Sequence, residues 1–226
     1  SDIPLRLVGS EMCIRDSSVA HGCLYIGLNG NATDLKLPKH NLWIYPDNID
    51  HDTAVANYLK NQDSDFPLIY VSFPSAKDPS WDSRYPNRST IDVITLLPYE
   101  SFAKWEGSSW KKRDESYEKL KESISKRLLD HLFDQLPQLK GCVDHYELSS
   151  PLTTKNFVNY QKGELYGLDH TPNRFSQKFL RPKTPIKGLY LTGQDIVSAG
   201  VGGALFSGLI TATAITGINF MKKIYK

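Results

Sequence analysis

The chain has 226 residues, of which 40% are hydrophobic and 23% are charged, with a formal net charge of +2. This length and composition are typical of a globular chain with a core of its own, and they exclude disordered, collagen-like and disulfide-stapled proteins. The 27 basic and 25 acidic residues give no field of one sign, so the overall charge indicates neither nucleic acid nor an anionic membrane as a partner. The three cysteines have no C-x-x-C spacing, and no metal site is predicted.

The first 17 residues differ in character from the rest of the chain. Residues 7–17, LVGSEMCIRDS, resemble the in-frame translation of a sequencing adapter. We therefore predict that residues 1–17 are disordered and are not part of the fold, with a genuine polar arm as the alternative. Without Met12 the chain would begin directly in a strand-like run, so we expect it to be the C-terminal part of a longer protein that lacks its N-terminal half.

Residues 19–97 predict mainly strands. The run 19–28 is apolar, β-branched and aromatic, and it ends at turn residues 29–31, which predicts a strand and a tight turn. Further strands are predicted at 42–45, 67–73 and 89–97, with a short helix at 52–61. Residues 74–88 contain three prolines and many small polar residues, which predicts a long loop.

A long amphipathic helix is predicted over residues 110–136. Its apolar residues recur at spacings of three and four, and Pro137 ends the run. A membrane-surface helix is less favoured, because the polar face mixes lysine with acidic residues. A strand at 142–148 follows, and Ser150 before Pro151 is typical of an N-cap that opens a helix to about residue 160. This order of elements predicts a mixed sheet with helices on one face.

The segment 185–226 carries the main functional signal. Residues 186–193 predict a short strand that is followed by Gln194 and Asp195, and residues 199–204, AGVGGA, lead into a helix that continues to about residue 220. A glycine-rich turn before a helix lets backbone N–H groups approach an anionic or carbonyl-bearing ligand at the positive helix end. Close helix packing is the alternative, because Leu205 stands where a G-x-G-x-x-G motif would have its third glycine.

Four segments resemble one family of flavoproteins. They are GLYLTGQD at 188–195, AGVGGAL at 199–205, YVSFPSAKDP at 70–79 and GELYGLDHTPNRF at 163–175. Taken in the order in which they follow along the chain, they resemble the C-terminal part, with its flavin motif, of the all-trans-retinol 13,14-reductase (retinol saturase) group. That group is related to carotenoid isomerases and phytoene desaturases.

The resemblance implies an α/β fold class and a domain organisation. An α+β substrate domain with a mixed sheet would contain residues 18–150. Residues 151–186 would form a loop region that faces flavin and substrate. Residues 187–226 would be the C-terminal strand–helix return of a split Rossmann-like FAD-binding domain.

The resemblance also implies the site residues. FAD would be bound by eight residues, with the Asp195 carboxylate at the ribityl-pyrophosphate region and the N–H groups of the glycine-rich turn at the flavin ring: Gly193, Gln194, Asp195, Gly200, Val201, Gly202, Gly203 and Ala204. Tyr166 and His170 would lie near the flavin, either as proton donors or as lining of the substrate pocket. No catalytic residue is assigned, and NAD(P)H is a candidate reductant.

The function implied by the resemblance is saturation of a conjugated C=C bond in a retinoid or carotenoid by hydride from reduced FAD. A carotenoid cis-trans isomerase or a desaturase of the same family is the enzymatic alternative, and a retinoid- or lipid-binding module is the non-enzymatic one. The expected partner is a hydrophobic polyene and not nucleic acid. A cytoplasmic location or a peripheral membrane association is favoured, and the chain alone is expected to be inactive.

Overall fold

The computed structural model describes residues 18–224. The prediction that residues 1–17 are disordered lies outside the described residues. The described chain forms two structural units: a first unit of residues 20–163, and a second unit that combines residues 18–19 with residues 164–224. The two predicted boundaries, after residue 150 and after residue 186, stay predictions.

The first unit contains a five-stranded sheet in the order β2-β3-β4-β1-β5. The strands are β1 (His21–Asn29), β2 (Leu42–Ile44), β3 (Ile69–Ser72), β4 (Arg88–Leu96) and β5 (Val143–Ser149). They agree with the five predicted strands of this unit to within a few residues. Buried and partly buried residues alternate along β4, as expected for a strand that covers a core on one side.

The pairings among these strands are antiparallel, so the expected mixed sheet is wrong, although the α+β class is confirmed. Strands β4 and β5 each pair antiparallel with β1 and therefore run parallel to each other. Because β1 lies between them, the helical crossover from β4 to β5 skips one strand, as in a split β-α-β unit. A sequence pattern of strand, helix and strand does not show that a third strand separates the two.

The first unit also contains α-helices, which are, in chain order, α1 (His51–Lys60), α2 (Pro74–Lys77), α3 (Trp81–Arg84), α4 (Glu115–Gln135) and α5 (Pro151–Val158). Helices α2 and α3 correct the prediction of a long loop at 74–88. Pro74 occupies the first turn of α2, where its fixed φ favours a helix start. The hydroxyl of Ser75 then exchanges hydrogen bonds with the backbone of Thr90 in β4, which fixes the segment against the sheet.

Helix α4 begins at Glu115 and not at residue 110 as predicted. Asp114 is its N-cap and accepts a hydrogen bond from the Tyr117 N–H, so the residues before Asp114 do not belong to the helix. Lys111, with φ of 60°, interrupts helical backbone geometry before that point. The apolar face of α4 is buried in the core of the first unit, together with one face of the sheet: Tyr117, Ile124, Leu128, Leu129 and Leu132.

The second unit has little regular structure before its main helix. It contains α6 (Pro172–Phe175), α7 (Gly200–Thr216) and α8 (Met221–Ile224). The predicted strand at 186–193 is not formed: Tyr190 makes an isolated bridge with Lys183, and the Leu191 N–H donates to the Pro182 carbonyl at 2.9 Å. Helix α7 ends before residue 220 because Gly217, with φ of 74°, caps it in the left-handed conformation.

None of the helices in the described residues is long and apolar enough to span a bilayer.

Candidate functional site

A glycine-rich turn joins the extended segment 190–193 to helix α7. Gly193 has a φ of 104°, which favours glycine, and a single 3-10 turn follows at Gln194–Ile196. Gly200, with φ of 84°, donates its N–H to the Oε1 atom of Gln194 at 3.0 Å. The side chain of Gln194 therefore stabilises the loop that starts the helix.

The N-terminus of α7 is exposed at its first residues. Its N-cap, Ala199, has no side chain that could accept a hydrogen bond from the first turn. Val201 is 86% exposed, and apart from the two chain neighbours and the nearby backbone of the helix itself no heavy atom of the described residues lies within 4 Å of the position that a Cβ of Gly202 would occupy. A helix of 17 residues places a partial positive charge at this end, so the arrangement suits an anionic or carbonyl-bearing group.

Gly203 has a different role from Gly202. It is buried, and a Cβ there would overlap the carbonyl oxygen of Ser198. The two interpretations of the glycine-rich turn therefore apply to different residues. Close packing explains Gly203, whereas Gly202 leaves open space beside the helix start.

Asp195 ties the turn to the loop at 166–168. Its Oδ1 atom accepts a hydrogen bond from the Leu168 N–H at 3.1 Å. Gly167, with φ of 69°, approaches so closely that a Cβ there would lie 2.5 Å from the same oxygen. One oxygen of the carboxylate predicted to bind a cofactor thus holds the loop that contains Tyr166.

Arg174 is a central residue of the site that the sequence analysis missed. Its side chain is buried, with 2% exposure, and Nη2 donates to the backbone carbonyls of Gln194 and Asp195 at 2.9 and 2.7 Å. Its Nη1 atom is buried without a hydrogen-bond partner among the described residues. Burial lowers the pKa of Arg174, while the nearby carboxylates of Asp195 and Asp169 oppose that shift, and an arginine stays charged at neutral pH.

Two polar residues of α7 hold the extended segment against the helix. The Ser207 hydroxyl accepts a hydrogen bond from the Gly193 N–H at 2.7 Å, and the Thr211 hydroxyl donates to the Leu191 carbonyl at 3.0 Å. Both residues are buried. Their i, i+4 spacing in an apolar helix is the sequence signal that could have identified them.

Tyr166 and His170 lie at different places around the turn. Tyr166 is exposed, and its Cε1 atom is 4.0 Å from the position of a Cβ on Gly200. The His170 ring packs edge-on against Phe175, and its Nε2 atom is buried without a hydrogen-bond partner in the described part of the chain. Burial lowers the pKa of His170, and the Arg174 charge lowers it further, which favours the neutral imidazole.

No group of three or more His, Cys, Asp or Glu side chains between residues 18 and 224 could hold a metal ion.

The geometry defines a class of site: a glycine-rich loop and a helix start whose N-cap side chain accepts no hydrogen bond, suited to a ligand with anionic or carbonyl groups. No protein-family model matches the chain. Over 214 residues, 90% of the chain, it is 35% identical to the all-trans-retinol 13,14-reductase of Danio rerio, and over 199 residues, 85% of the chain, it is 37% identical to that of Homo sapiens. The resemblance predicted from the sequence is therefore confirmed.

Two features of these relatives bear on function. The chain spans about a third of the length of these curated relatives, since it covers 35% and 32% of them. A further Danio rerio protein, named inactive all-trans-retinol 13,14-reductase, is 30% identical over 202 residues.

Proposed function

We propose that the chain is part of a flavin-dependent oxidoreductase that saturates a C=C bond of a retinoid or a related polyene. Two observations support the proposal: the similarity to proteins named all-trans-retinol 13,14-reductase, and the open space at Gly202 near the start of α7. The first observation carries more weight, because open space is also found beside other exposed glycines such as Gly208. FAD, with NAD(P)H as reductant, is the proposed cofactor.

The residues of the site fit the polar groups of a flavin nucleotide. The Gly200 N–H already bonds the Gln194 side chain, but the next N–H groups of α7 are donors for carbonyl or phosphate oxygens, and glycine at position 202 permits close approach of such a group. Bound FAD would supply the hydride that reduces the double bond. Arg174 and Asp195 would act as positioning residues, because they fix the backbone of the turn and of the loop at 166–168.

The apolar surface of α7 argues against a self-sufficient binding module. Three large hydrophobic residues of this helix are exposed: Val201, Leu205 and Ile215. A soluble module that functions alone would rarely leave such a row uncovered. We therefore propose that α7 packs against further protein in the active enzyme.

A chimera tests the proposed function. Residues 18–226 would replace the matching segment of the Danio rerio all-trans-retinol 13,14-reductase, and the unsubstituted protein would serve as the control. The measurements are the flavin content of the purified protein and the mass of the product formed from all-trans-retinol, with NADPH and dithionite compared as reductants.

We expect the chimera to contain flavin and to form a product that is heavier by two hydrogen atoms. A product of unchanged mass would favour the isomerase alternative, because isomerisation leaves the atom count unchanged. A chimera that melts like the unsubstituted protein but contains no flavin would refute the proposal.

A further inference from the structure

Two buried polar atoms near the glycine-rich turn have no hydrogen-bond partner among the described residues. They are Nε2 of His170 and Nη1 of Arg174, two side chains of the second unit that are close together in the sequence. A buried polar atom without a partner is unfavourable, because it has given up its hydrogen bonds with water. Two such atoms in one short segment therefore indicate a place where a polar group of another molecule binds.

The side chain of Phe175 joins these two residues into one cluster. Its ring meets the His170 ring edge to face, with centroids 5.9 Å apart, and the guanidinium carbon of Arg174 lies 5.1 Å from its centroid. The chain turns between the two residues, because Thr171 caps helix α6 and accepts a hydrogen bond from the Arg174 N–H at 3.3 Å. Phe175 itself is half exposed, so its ring covers the cluster from the solvent side.

The two unpartnered atoms differ in hydrogen-bonding character. An arginine nitrogen can only donate, so Nη1 of Arg174 requires an acceptor. The His170 ring makes a hydrogen bond with the Leu168 backbone, and because Nε2 has no partner in the described chain, Nδ1 is the nitrogen that donates to the Leu168 carbonyl. Burial lowers the pKa of His170 and the Arg174 charge lowers it further, which favours the neutral ring. In that ring Nε2 is an acceptor without a proton.

A hydroxyl group is the functional group that satisfies both atoms at once. Its hydrogen is donated to Nε2 of His170, while its oxygen accepts from Nη1 of Arg174. A carbonyl or carboxylate oxygen has no hydrogen for Nε2, and an ammonium group has no lone pair for Nη1. The pair therefore selects an alcohol over these alternatives.

Arg174 connects this pair to the turn at the start of α7. Its second terminal nitrogen, Nη2, donates to the backbone carbonyls of Gln194 and Asp195 at 2.9 and 2.7 Å. The guanidinium group is planar and rigid, so these two contacts hold Nη1 in a fixed direction. A hydroxyl group bound by the pair is therefore separated from the backbone of the turn by one guanidinium group.

We propose that His170 and Arg174 together bind one hydroxyl group of the ligand of this site, which enters when the Phe175 side chain turns aside. An exposed side chain changes rotamer readily, so this movement does not disturb the core. For the identity of the ligand the inference rests on the proposed function, because the ribityl chain of FAD and the alcohol end of retinol both present a hydroxyl group. His170 is a binding residue in this arrangement and not the proton donor, because its Nε2 atom has no proton to give.

Ligand binding to the chimera with the Danio rerio protein tests the inference. Dissociation constants are measured by fluorescence for all-trans-retinol and its methyl ether, and for FAD with the flavin-free protein. The methyl ether has an oxygen that accepts but no hydrogen to donate. The variants are His170→Phe, which keeps a ring packed on Phe175, and His170→Gln, which keeps an acceptor in its amide oxygen. The matched control is His40→Phe, at an exposed histidine of a loop.

We expect His170→Phe to weaken the binding of one hydroxyl-bearing ligand by about 3- to 10-fold, the range of one hydrogen bond, with recovery in His170→Gln and no change in the control. If retinol supplies the hydroxyl group, the unchanged chimera binds retinol more tightly than the ether by a similar factor, and His170→Phe removes this preference. If the ribityl chain supplies it, His170→Phe weakens the binding of FAD, and retinol and its ether bind equally. Phe175→Ala should accelerate the association of the same ligand.

Unchanged dissociation constants for retinol and FAD in His170→Phe would overturn the inference, since the pair would then hold no more than a water molecule. If this variant no longer melts cooperatively, the smaller change His170→Leu replaces it. An unchanged association rate in Phe175→Ala would contradict entry beside that ring.

Nitrogen NMR of the full chain supplies a test that needs no flavin. The proton of a neutral His170 ring should reside on Nδ1, and a proton on Nε2 would overturn the inference. A chimera that contains no flavin would refute the proposed function alone, because the comparison of retinol with its methyl ether still measures the selectivity of the pair for a hydroxyl group.

Discussion

Substitution by alanine should have opposite effects on the stability of the protein at Gly202 and Gly203, the two adjacent glycines at the start of α7. Gly202 lies within the helix, and in the described chain no heavy atom outside its chain neighbours and the nearby helix backbone lies within 4 Å of its Cβ position. The change Gly202→Ala should therefore stabilise the protein by about 0.5–1 kcal/mol, because it restricts the unfolded chain and favours the helix. At Gly203 the added methyl group would meet the Ser198 carbonyl, and overpacking of that kind costs about 1–3 kcal/mol.

The free energy of unfolding of the two variants should thus differ by about 1.5–4 kcal/mol. Denaturant unfolding of the chain measures this difference, and hydrogen exchange of the α7 amides locates it in the helix. A Gly203→Ala variant as stable as the unchanged protein would refute the packing role of Gly203. A destabilised Gly202→Ala variant would refute the open geometry at that position.

In the chimera with the Danio rerio protein, the same two glycine substitutions distinguish an effect on stability from an effect on ligand binding. Gly202→Ala should reduce the flavin content although the protein is at least as stable, because a methyl group would occupy the space that the ligand needs. Gly203→Ala should reduce flavin content together with stability. Unchanged flavin content in Gly202→Ala would show that no ligand group approaches the helix start closely, and the proposed binding mode would be wrong.

Three further predictions concern other parts of the chain. Arg174→Met removes two charged hydrogen bonds, each worth about 1.5–3 kcal/mol, so the amide hydrogens of residues 194–197 should exchange faster with solvent. The control Arg181→Met changes an exposed arginine and should leave their exchange unchanged. Equal exchange rates in both variants would contradict the role of Arg174. Burial raises the pKa of Asp92 above its ordinary value of 3.8, so its ionised form destabilises the fold above the raised pKa, and this penalty disappears below 3.8. Asp92→Asn should therefore raise the Tm near neutral pH and lose this effect in acid, and an equal shift at both pH values would exclude this cause. Val201→Ser with Leu205→Ser should reduce self-association in sedimentation velocity, an expectation that fails if the unchanged chain is already monomeric at every concentration.

The elements of the first unit could largely be predicted from the sequence, because each has a strong local signal. The apolar alternation of β4 and the spacing of three and four in α4 are properties of the elements themselves. The capping box at Ser150 and Thr153 is equally local, and the structure confirms the predicted start of α5. The order of strands in the sheet has no such local signal, which is why the mixed sheet was wrong.

The extended segment before α7 shows where local signals are insufficient. Residues 186–193 are as apolar as a buried strand, but a strand forms only when neighbouring backbone groups complete its ladder. In this chain the Leu191 carbonyl and the Gly193 N–H are satisfied by Thr211 and Ser207 of α7 instead. The strand prediction was therefore wrong: Leu189 donates its N–H to the Ile186 carbonyl in a turn, and the Leu191 carbonyl and the Gly193 N–H bond to α7 instead of to a neighbouring strand.

The position of Asp195 determines which experiments can test the site. The sequence motif assigned its carboxylate to a cofactor, yet Oδ1 also accepts the Leu168 N–H, and Arg174 holds the backbone carbonyl of the same residue. A carboxylate has acceptor capacity for both roles. Loss of flavin in an Asp195 variant would not distinguish them, because the loop at 166–168 would be released at the same time. A methyl group at Gly202 breaks none of these contacts, so its effect on ligand binding can be attributed to the helix start alone.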